Sequence, residues 1–235
     1  MEPDGALSRD SVGEAWPLNA SQRAQTGALL ALLEHDEHAP TSIRDRAGAS
    51  DRHLADSLAA LTIAPLREAR TIADLGSGSG FPGLAVAVAL PAAVVSLVES
   101  QRRRCEFLER ARTAASLANV RVVCARAEEW SEGRLCNDAV LARALAPQAV
   151  VLEYAAPLLR VGGTLVDWRG ERDAGEEQAA DRAAALLGLE RADVLRVVPF
   201  AGATHRHLHV FTKVADTPER FPRRPGMALK RPVGR

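Results

Sequence analysis

The sequence predicts an α/β fold, a mostly parallel sheet with helices on both faces, preceded by a helical extension. Three observations carry that reading. From Thr71 onward, short apolar runs alternate with segments of helical period, the pattern of a parallel sheet covered on both sides. The stretch Thr71-Ile-Ala-Asp-Leu-Gly-Ser-Gly-Ser-Gly-Phe-Pro-Gly83 joins an apolar strand to a helix through a glycine-dense turn. Such junctions hold nucleotide-like ligands at the carboxyl edge of a parallel sheet. Finally, 235 residues with 47% hydrophobic content suffice to bury one full core.

The elements follow in order. Residues 1 to about 20 are polar and mixed. From Ser21 to Glu34, Ala24, Ala28, Leu29, Leu32 and Leu33 recur at helical spacing, and Leu54, Leu58 and Leu61 do the same over Asp51 to Leu61. Residues 1–70 thus form an N-terminal helical extension. Strands are expected at Thr71–Leu75, Val94–Glu99, Val120–Cys124, Ala139–Ala142 and Thr164–Asp167. Helices fall at Pro82–Leu90, Arg102–Ser116 and Gln148–Leu159, with a turn at Gly162-Gly163. A helix at Glu176–Leu187 precedes strands at Asp193–Val198 and His205–Val214, spaced as a terminal hairpin. The main domain is therefore 71–215. Residues 216–235 are a tail; from Glu219 on it is Pro- and Arg-rich, with six basic residues (Arg220, Arg223, Arg224, Lys230, Arg231, Arg235) against the one acid Glu219.

Formal net charge is zero, so no molecule-wide field draws nucleic acid, and such a partner must meet a local patch. Arginine dominates the basic residues, Lys213 and Lys230 being the only lysines. Cys105, Cys124 and Cys136 lack metal-type spacing and form no C-x-x-C, which implies free thiols in a reducing cytoplasm. No apolar run is long enough to span a bilayer, and no signal pattern opens the chain. The expectation is a cytoplasmic monomer without a membrane or metal partner.

Gly76, Gly78 and Gly80 permit a tight turn and close approach of the backbone to a ligand. Gly78-x-Gly80-x-x-Gly83 satisfies the dinucleotide fingerprint, yet three features favour another cofactor. Asp74 stands two residues before the first glycine, where pyrophosphate charge is unwelcome but the sulfonium and ammonium of S-adenosylmethionine are welcome. The glycines begin early, as D-x-G-x-G-x-G, and no second mononucleotide-binding half follows. Glu99, ending the second strand, suits a ribose diol in either cofactor. From Thr71 to Val214 the pattern resembles the class I S-adenosylmethionine-dependent methyltransferases. That resemblance implies a Rossmann-like, seven-stranded sheet with an antiparallel terminal strand. Enzymes that methylate exocyclic amines commonly carry (Asn/Asp)-Pro-Pro-(Tyr/Phe) after the fourth strand, where this chain has Val140-Leu-Ala-Arg-Ala-Leu-Ala-Pro147. No cysteine has the setting of a pyrimidine C5 nucleophile. A target atom that is already nucleophilic remains.

Thr41-Ser-Ile-Arg-Asp45, Arg52-His-Leu-Ala-Asp-Ser57, Asp74-Leu-Gly-Ser-Gly-Ser-Gly-Phe-Pro-Gly83, Ala127-Glu128, Ala142-Arg-Ala144 and Arg220-Phe-Pro-Arg-Arg-Pro-Gly226 occur in that order. The set resembles the bacterial 16S ribosomal RNA guanine-N7 methyltransferases, the glucose-inhibited division protein B family, from Thr41 to the C-terminus. The resemblance implies that Gly76 and Phe81 line the methionine end of the S-adenosylmethionine site, beside Asp74 and Gly78. Glu99 holds the ribose, and Ala127 and Glu128 border the adenine. It puts Arg143, the catalytic candidate, where cofactor and target base meet. Arg103, Arg104 and Arg169 match basic positions that the family presents to its RNA, here 16S RNA or the small ribosomal subunit, while the basic tail with Arg223 and Arg224 is a disordered extension, a docking segment for RNA, or both. The chain departs from the family at Ala39-Pro40-Thr41, in place of Asn-Leu-Thr, and at Arg103 and Arg169, in place of frequent lysines. The two swaps of lysine for arginine keep phosphate attraction but change its geometry. Guanine N7 has a lone pair and no proton to lose, so positioning rather than a general base carries the chemistry.

Other conspicuous residues have two readings. His205, His207 and His209 alternate on a predicted strand, so they share a face, either a zinc site lacking a fourth ligand or a half-exposed hairpin face. His53 and Asp56, one helical turn apart, either bond each other and fix the extension or face the substrate. Arg102-Arg103-Arg104 is a solvated charge run or a phosphate contact. Trp130 and Trp168 pack in the core or stack on a base. Rival functions are methyl transfer to a small molecule or protein, a nicotinamide-binding oxidoreductase, and a silent ribosome-assembly factor.

Overall fold

Asn19 starts the first helix with a capping box: its side chain accepts from Gln22 N–H while Gln22 Oε1 accepts from Asn19 N–H. The computed structural model describes residues 16–43 and 45–234; the expectations for residues 1–15, Arg44 and Arg235 fall outside this range. Helix α1 (Ala20–His35) buries Leu29, Leu30 and Leu33. A composite helical stretch follows: α2 (Arg46–Ala49), a π-wound segment (Ser50–Ala55), α3 (Asp56–Leu58) and a 3₁₀ turn (Ala59–Thr62). The uniform helix expected over Asp51–Leu61 is thus broken. Helix α4 (Ala64–Glu68) leads into the sheet.

The sheet strands are β1 (Thr71–Leu75), β2 (Val94–Glu99), β3 (Val120–Cys124), β4 (Asn137–Arg143), β5 (Leu159–Arg169), β6 (Leu189–Arg196) and β7 (His207–Lys213). Between them lie α5 (Gly83–Ala89), α6 (Arg102–Ala114), α7 (Gln148–Ala155) and α8 (Ala174–Leu187), and α9 (Met227–Lys230) closes the chain. The order is β3-β2-β1-β4-β5-β7-β6. Strands β1 to β5 pair in parallel, whereas β7 runs antiparallel between β5 and β6. This is the seven-stranded class I methyltransferase arrangement.

Ile72, Ala73 and Leu75 of β1 are fully buried, as a central parallel strand covered on both faces requires. Leu29, Leu33, Leu58, Leu61 and Leu66 of the N-terminal helices join the core on one face, at about 1.5–3 kcal/mol per leucine. The extension is therefore structural. Polar contacts fix its position: Gln22 Nε2 donates to Val88 O at 2.9 Å, Arg110 pairs with Asp36 at 2.7 Å, and Trp168 Nε1 donates to Asp56 O at 3.0 Å. The opposite face is filled by α7, α8, Trp130 and the tail residues Phe221 and Ala228.

Several expected boundaries shift for physical reasons. Gly162-Gly163 is no turn between elements. Gly162 has φ +83°, and it lies where the β4–β5 register jumps from Asn137↔Leu159 to Ala139↔Thr164. A bulge thus lengthens β5, and α7 stops at Ala155. Gly188, at φ +74°, ends α8 and turns straight into β6, four residues before the expected start at Asp193. The strand was hidden because an edge strand carries polar residues on its exposed positions. His205 precedes β7. No described helix is long and apolar enough to cross a membrane.

Candidate active site

The chain winds outward from β1 in both directions, to β2 on one side and β4 on the other. The crevice beyond their carboxyl ends is the place where such folds bind ligands. The glycine loop and Arg143 flank it.

Gly76, Gly78 and Gly80 all have positive φ, at +65°, +53° and +92°. A Cβ on Gly76 would stand 2.5 Å from Leu145 Cδ1, and one on Gly80 would stand 2.2 Å from Leu84 Cδ1. Only glycine fits this cradle. Asp74 is buried behind the loop, its Oδ2 accepting Gly83 N–H at 3.1 Å at the start of α5. Burial pushes its carboxyl up to about 7, against the pull of the Gly83 bond and Arg143. Asp74 thus fixes the loop from behind, through Gly83 N–H. Pro82 is the residue before α5 rather than its first.

Glu99 at the end of β2 is likewise buried, and accepts N–H bonds from Gly78 at 3.1 Å and Gln101 at 2.8 Å. Arg104 Nη1 stands 3.7 Å away. The glycine loop and the expected ribose carboxylate are thereby one hydrogen-bonded unit. Beside them lies a pocket of about 130 Å³ walled by Gly76, Val98, Ala127, Glu128, Tyr154 and Leu229, among others. Its lining sets apolar Val98, Ala127, Leu145 and Leu229 beside the Glu128 carboxylate. The glycine cradle, the Glu99 carboxylate and this pocket fit S-adenosylmethionine.

A second cleft, of about 550 Å³, opens on the β4 side, lined by Arg52, His53, Asp56, Arg143, Trp168 and Arg206, among others. Arg143 is its hub. Its Nη1 donates to Asp56 Oδ2 at 2.9 Å and Arg52 O at 3.1 Å, and its Nη2 to His53 Nδ1 at 3.3 Å. A guanidinium only donates, so His53 Nδ1 accepts and Nε2–H donates to Thr41 Oγ1 at 3.0 Å. Burial and Arg143 push the imidazole down to about 4, so it is neutral. His53 and Asp56 therefore meet through Arg143 rather than through the local bond expected between them. The π-wound segment carries Arg52 and His53 to this cleft, where such segments often serve sites. The His53 ring stacks on Phe81 at 5.2 Å between centroids, joining the cleft to the glycine loop. Burial raises the Asp56 carboxyl while Arg143 and Arg206 oppose that rise. Ala144, next to Arg143, adopts φ +54°, a conformation costly for a residue with a Cβ and concentrated at functional sites.

The candidate RNA residues divide. Arg103 and Arg224 are exposed. Arg169 is oriented by Asp167, with Nε to Oδ2 at 2.6 Å, and reaches the cleft. Arg223 is spent inside the protein on buried Glu153, with Nε to Oε1 at 2.8 Å and Nη2 to Oε2 at 2.5 Å. His209 is buried against Arg191 at 2.8 Å, and His207 Nδ1 donates to Gly170 O at 2.7 Å. Among the described residues no three His, Cys, Asp or Glu side chains are placed to share a metal ion. Trp168 is buried and lines the cleft. Arg206, Ala144, Tyr154 and Leu229 escaped sequence reasoning. Arg206, Tyr154 and Leu229 lie outside the quoted motifs, on segments that meet only in the fold, whereas Ala144 lies in a quoted motif whose backbone conformation nothing in its sequence marks.

The fold and the paired pockets define a class I S-adenosylmethionine-dependent methyltransferase. A model of the family described as rRNA small subunit methyltransferase G matches residues 29–209. The chain is 38% identical over 226 residues to the ribosomal RNA small subunit methyltransferase G of Chloroflexus aggregans, covering 93% of this chain and 94% of that protein. With the protein of the same name from Rubrobacter xylanophilus the identity is 41% over 187 residues, covering 77% and 72%. The chain belongs to the rRNA small subunit methyltransferase G family. Two solved structures share the fold at low identity. The antibiotic-resistance methyltransferase Kmr has TM-score 0.53 at 18% identity, covering 63% of this chain and 88% of that one. A variant of a 16S rRNA adenine-N(1)-methyltransferase from Catenulisporales acidiphilia has TM-score 0.52 at 19%, covering 66% and 90%.

Proposed function

We propose that this chain transfers the methyl group of S-adenosylmethionine to N7 of a guanine in 16S ribosomal RNA of the small subunit. The observation that carries this reading is the arginine-rimmed cleft beside the glycine cradle, with Trp168 in its wall. The donor, when bound, supplies an electrophilic methyl on a sulfonium. Gly76, Gly78 and Phe81 hold its methionine end, Glu99 its ribose, and Ala127 and Glu128 its adenine; Asp74 braces the loop that does so. Arg143 positions the base in the adjoining cleft, its own geometry locked by Asp56 and His53. Arg103, Arg104, Arg169 and Arg224 offer charge to the phosphate backbone.

The protonation states agree with this chemistry. Both nitrogens of neutral His53 are engaged, and one Asp56 oxygen is held by Arg143. Asp56 Oδ1 has no hydrogen-bond partner and stands 3.6 Å from Arg206 Nε, and alkylation at N7 requires no base. Rate acceleration then comes from holding N7 in line with the methyl at about 3 Å.

Incubating small subunits from cells lacking this protein with tritium-labelled donor tests the reading. Label is expected in 16S RNA. Label confined to protein or a small molecule would overturn it.

A further inference from the structure

We infer that the C-terminal tail is a wall of the cofactor site: Leu229 covers the adenine ring, and the Arg223–Glu153 pair holds that wall in place. The inference rests on reading the 130 Å³ pocket as the adenine end, and it assigns to the tail a role in donor binding.

The tail is folded against the domain. Phe221 and Ala228 are buried in the core on the α7 face. Arg134 Nη2 donates to Phe221 O at 3.2 Å, and Arg182 Nε to Gly234 O at 2.6 Å. Arg223 clamps Glu153 through its backbone N–H at 3.1 Å as well as its guanidinium, and Nη2 also donates to Arg231 O at 2.8 Å. Glu153 is 1% exposed on α7, so its charge needs this partner. One side chain thus staples both ends of the loop Arg223–Arg231 onto the helix below the pocket.

Within that loop, Gly226 N–H donates to Glu128 Oε1 at 3.3 Å. Glu128 is the residue expected at the adenine rim, and it also lies beside the Tyr154 hydroxyl, which burial and this neighbour push up to about 12. The tail therefore bonds directly to the pocket rim. Three residues further on, Leu229 lines the pocket while remaining 55% exposed. A flat apolar ring in the pocket would bury that leucine surface against the wall formed by Val98 and Ala127. Half a leucine side chain made available for burial corresponds to about tenfold in Kd.

The probe is S-adenosylhomocysteine, titrated calorimetrically into the full chain and variants. Leu229→Ser is expected to raise Kd about tenfold and Leu229→Met to leave it within about twofold. Arg223→Met is expected to weaken binding, with Arg223→Lys restoring part of it, whereas Glu219→Gln at an exposed tail position leaves it unchanged. Hydrogen exchange on the wild type gives a second readout: the Lys230 and Arg231 amides, bonded to Gly226 O and Met227 O, should slow when the probe binds. A wild type that fails to bind the probe sinks the cofactor reading itself. A wild type that binds it, with Leu229→Ser equally tight and no protection at Lys230 and Arg231, overturns the tail's role alone.

Discussion

Replacing Gly76 with alanine separates the backbone requirement of the glycine loop from its packing requirement. At φ +65° an alanine costs about 1–2 kcal/mol relative to glycine. For a chain of this size that lowers Tm by about 2–8 °C. The added Cβ also meets Leu145 Cδ1 at 2.5 Å, and Leu145 lines the adenine pocket. Leu145 must swing away, and the space beside it is the pocket. Gly76→Ala should therefore lose at least about tenfold in S-adenosylhomocysteine affinity beyond the thermal penalty. Gly78→Ala suffers similar strain at φ +53°, but its nearest neighbour is Gly76 O at 3.7 Å, so its thermal penalty comes without a clash. Adding Leu145→Ala to Gly76→Ala should recover part of the affinity but none of the strain. Calorimetry and thermal unfolding read both effects. Wild-type affinity in Gly76→Ala, or no recovery in the double variant, would show that Leu145 does not move into the pocket.

Other consequences follow from the same geometry. A Cβ on Gly83 meets Leu97 Cδ2 at 2.4 Å and Asp74 Oδ2 at 2.7 Å inside the core, so Gly83→Ala should cost about 2–3 kcal/mol in denaturant unfolding; an unchanged midpoint contradicts this. Arg143→Ala should abolish methyl transfer while S-adenosylhomocysteine affinity stays within about threefold, and the stranded Asp56 carboxylate should destabilise the fold by about 3 kcal/mol. Equal loss of binding and transfer would place Arg143 in the cofactor site instead. By NMR, His53 should titrate at about 4 rather than its ordinary 6.5. Its folded value is depressed and its charged form is the acid, so this contribution to stability is complete above 6.5 and is lost as pH falls towards 4. Arg143→Ala should move that midpoint upward, and a wild-type midpoint near 6.5 contradicts the neutral tautomer.

The sheet was legible because β1, β2 and β3 are short apolar runs bounded by polar turns, and their ends match the structure residue for residue. Edge and bulged strands were less so. The polar surface of β6 and the glycines inside β5 break the local signals on which strand recognition rests. The same division holds for the site. Gly76, Glu99 and Glu128 lie in compact motifs at strand ends, and the structure brings them together around one crevice. Arg206 stands beside Asp56, at 3.6 Å, only because β7 inserts between β5 and β6. Arg223 looked like a free cation because nothing local marks Glu153, 70 residues away, as its buried partner. Asp74 illustrates a different limit: its position was legible, but the direction of its carboxyl depends on where α5 begins.

On the proposed function, the cleft beside the glycine cradle presents guanine N7 to the methyl donor. Nucleoside mass spectrometry of 16S RNA, after incubating unmodified small subunits with this protein and a deuteromethyl donor, tests it most directly. Deuterated 7-methylguanosine is expected with wild type and none with Arg143→Ala. A deuterated methyl on any other atom, or on another base, would contradict it.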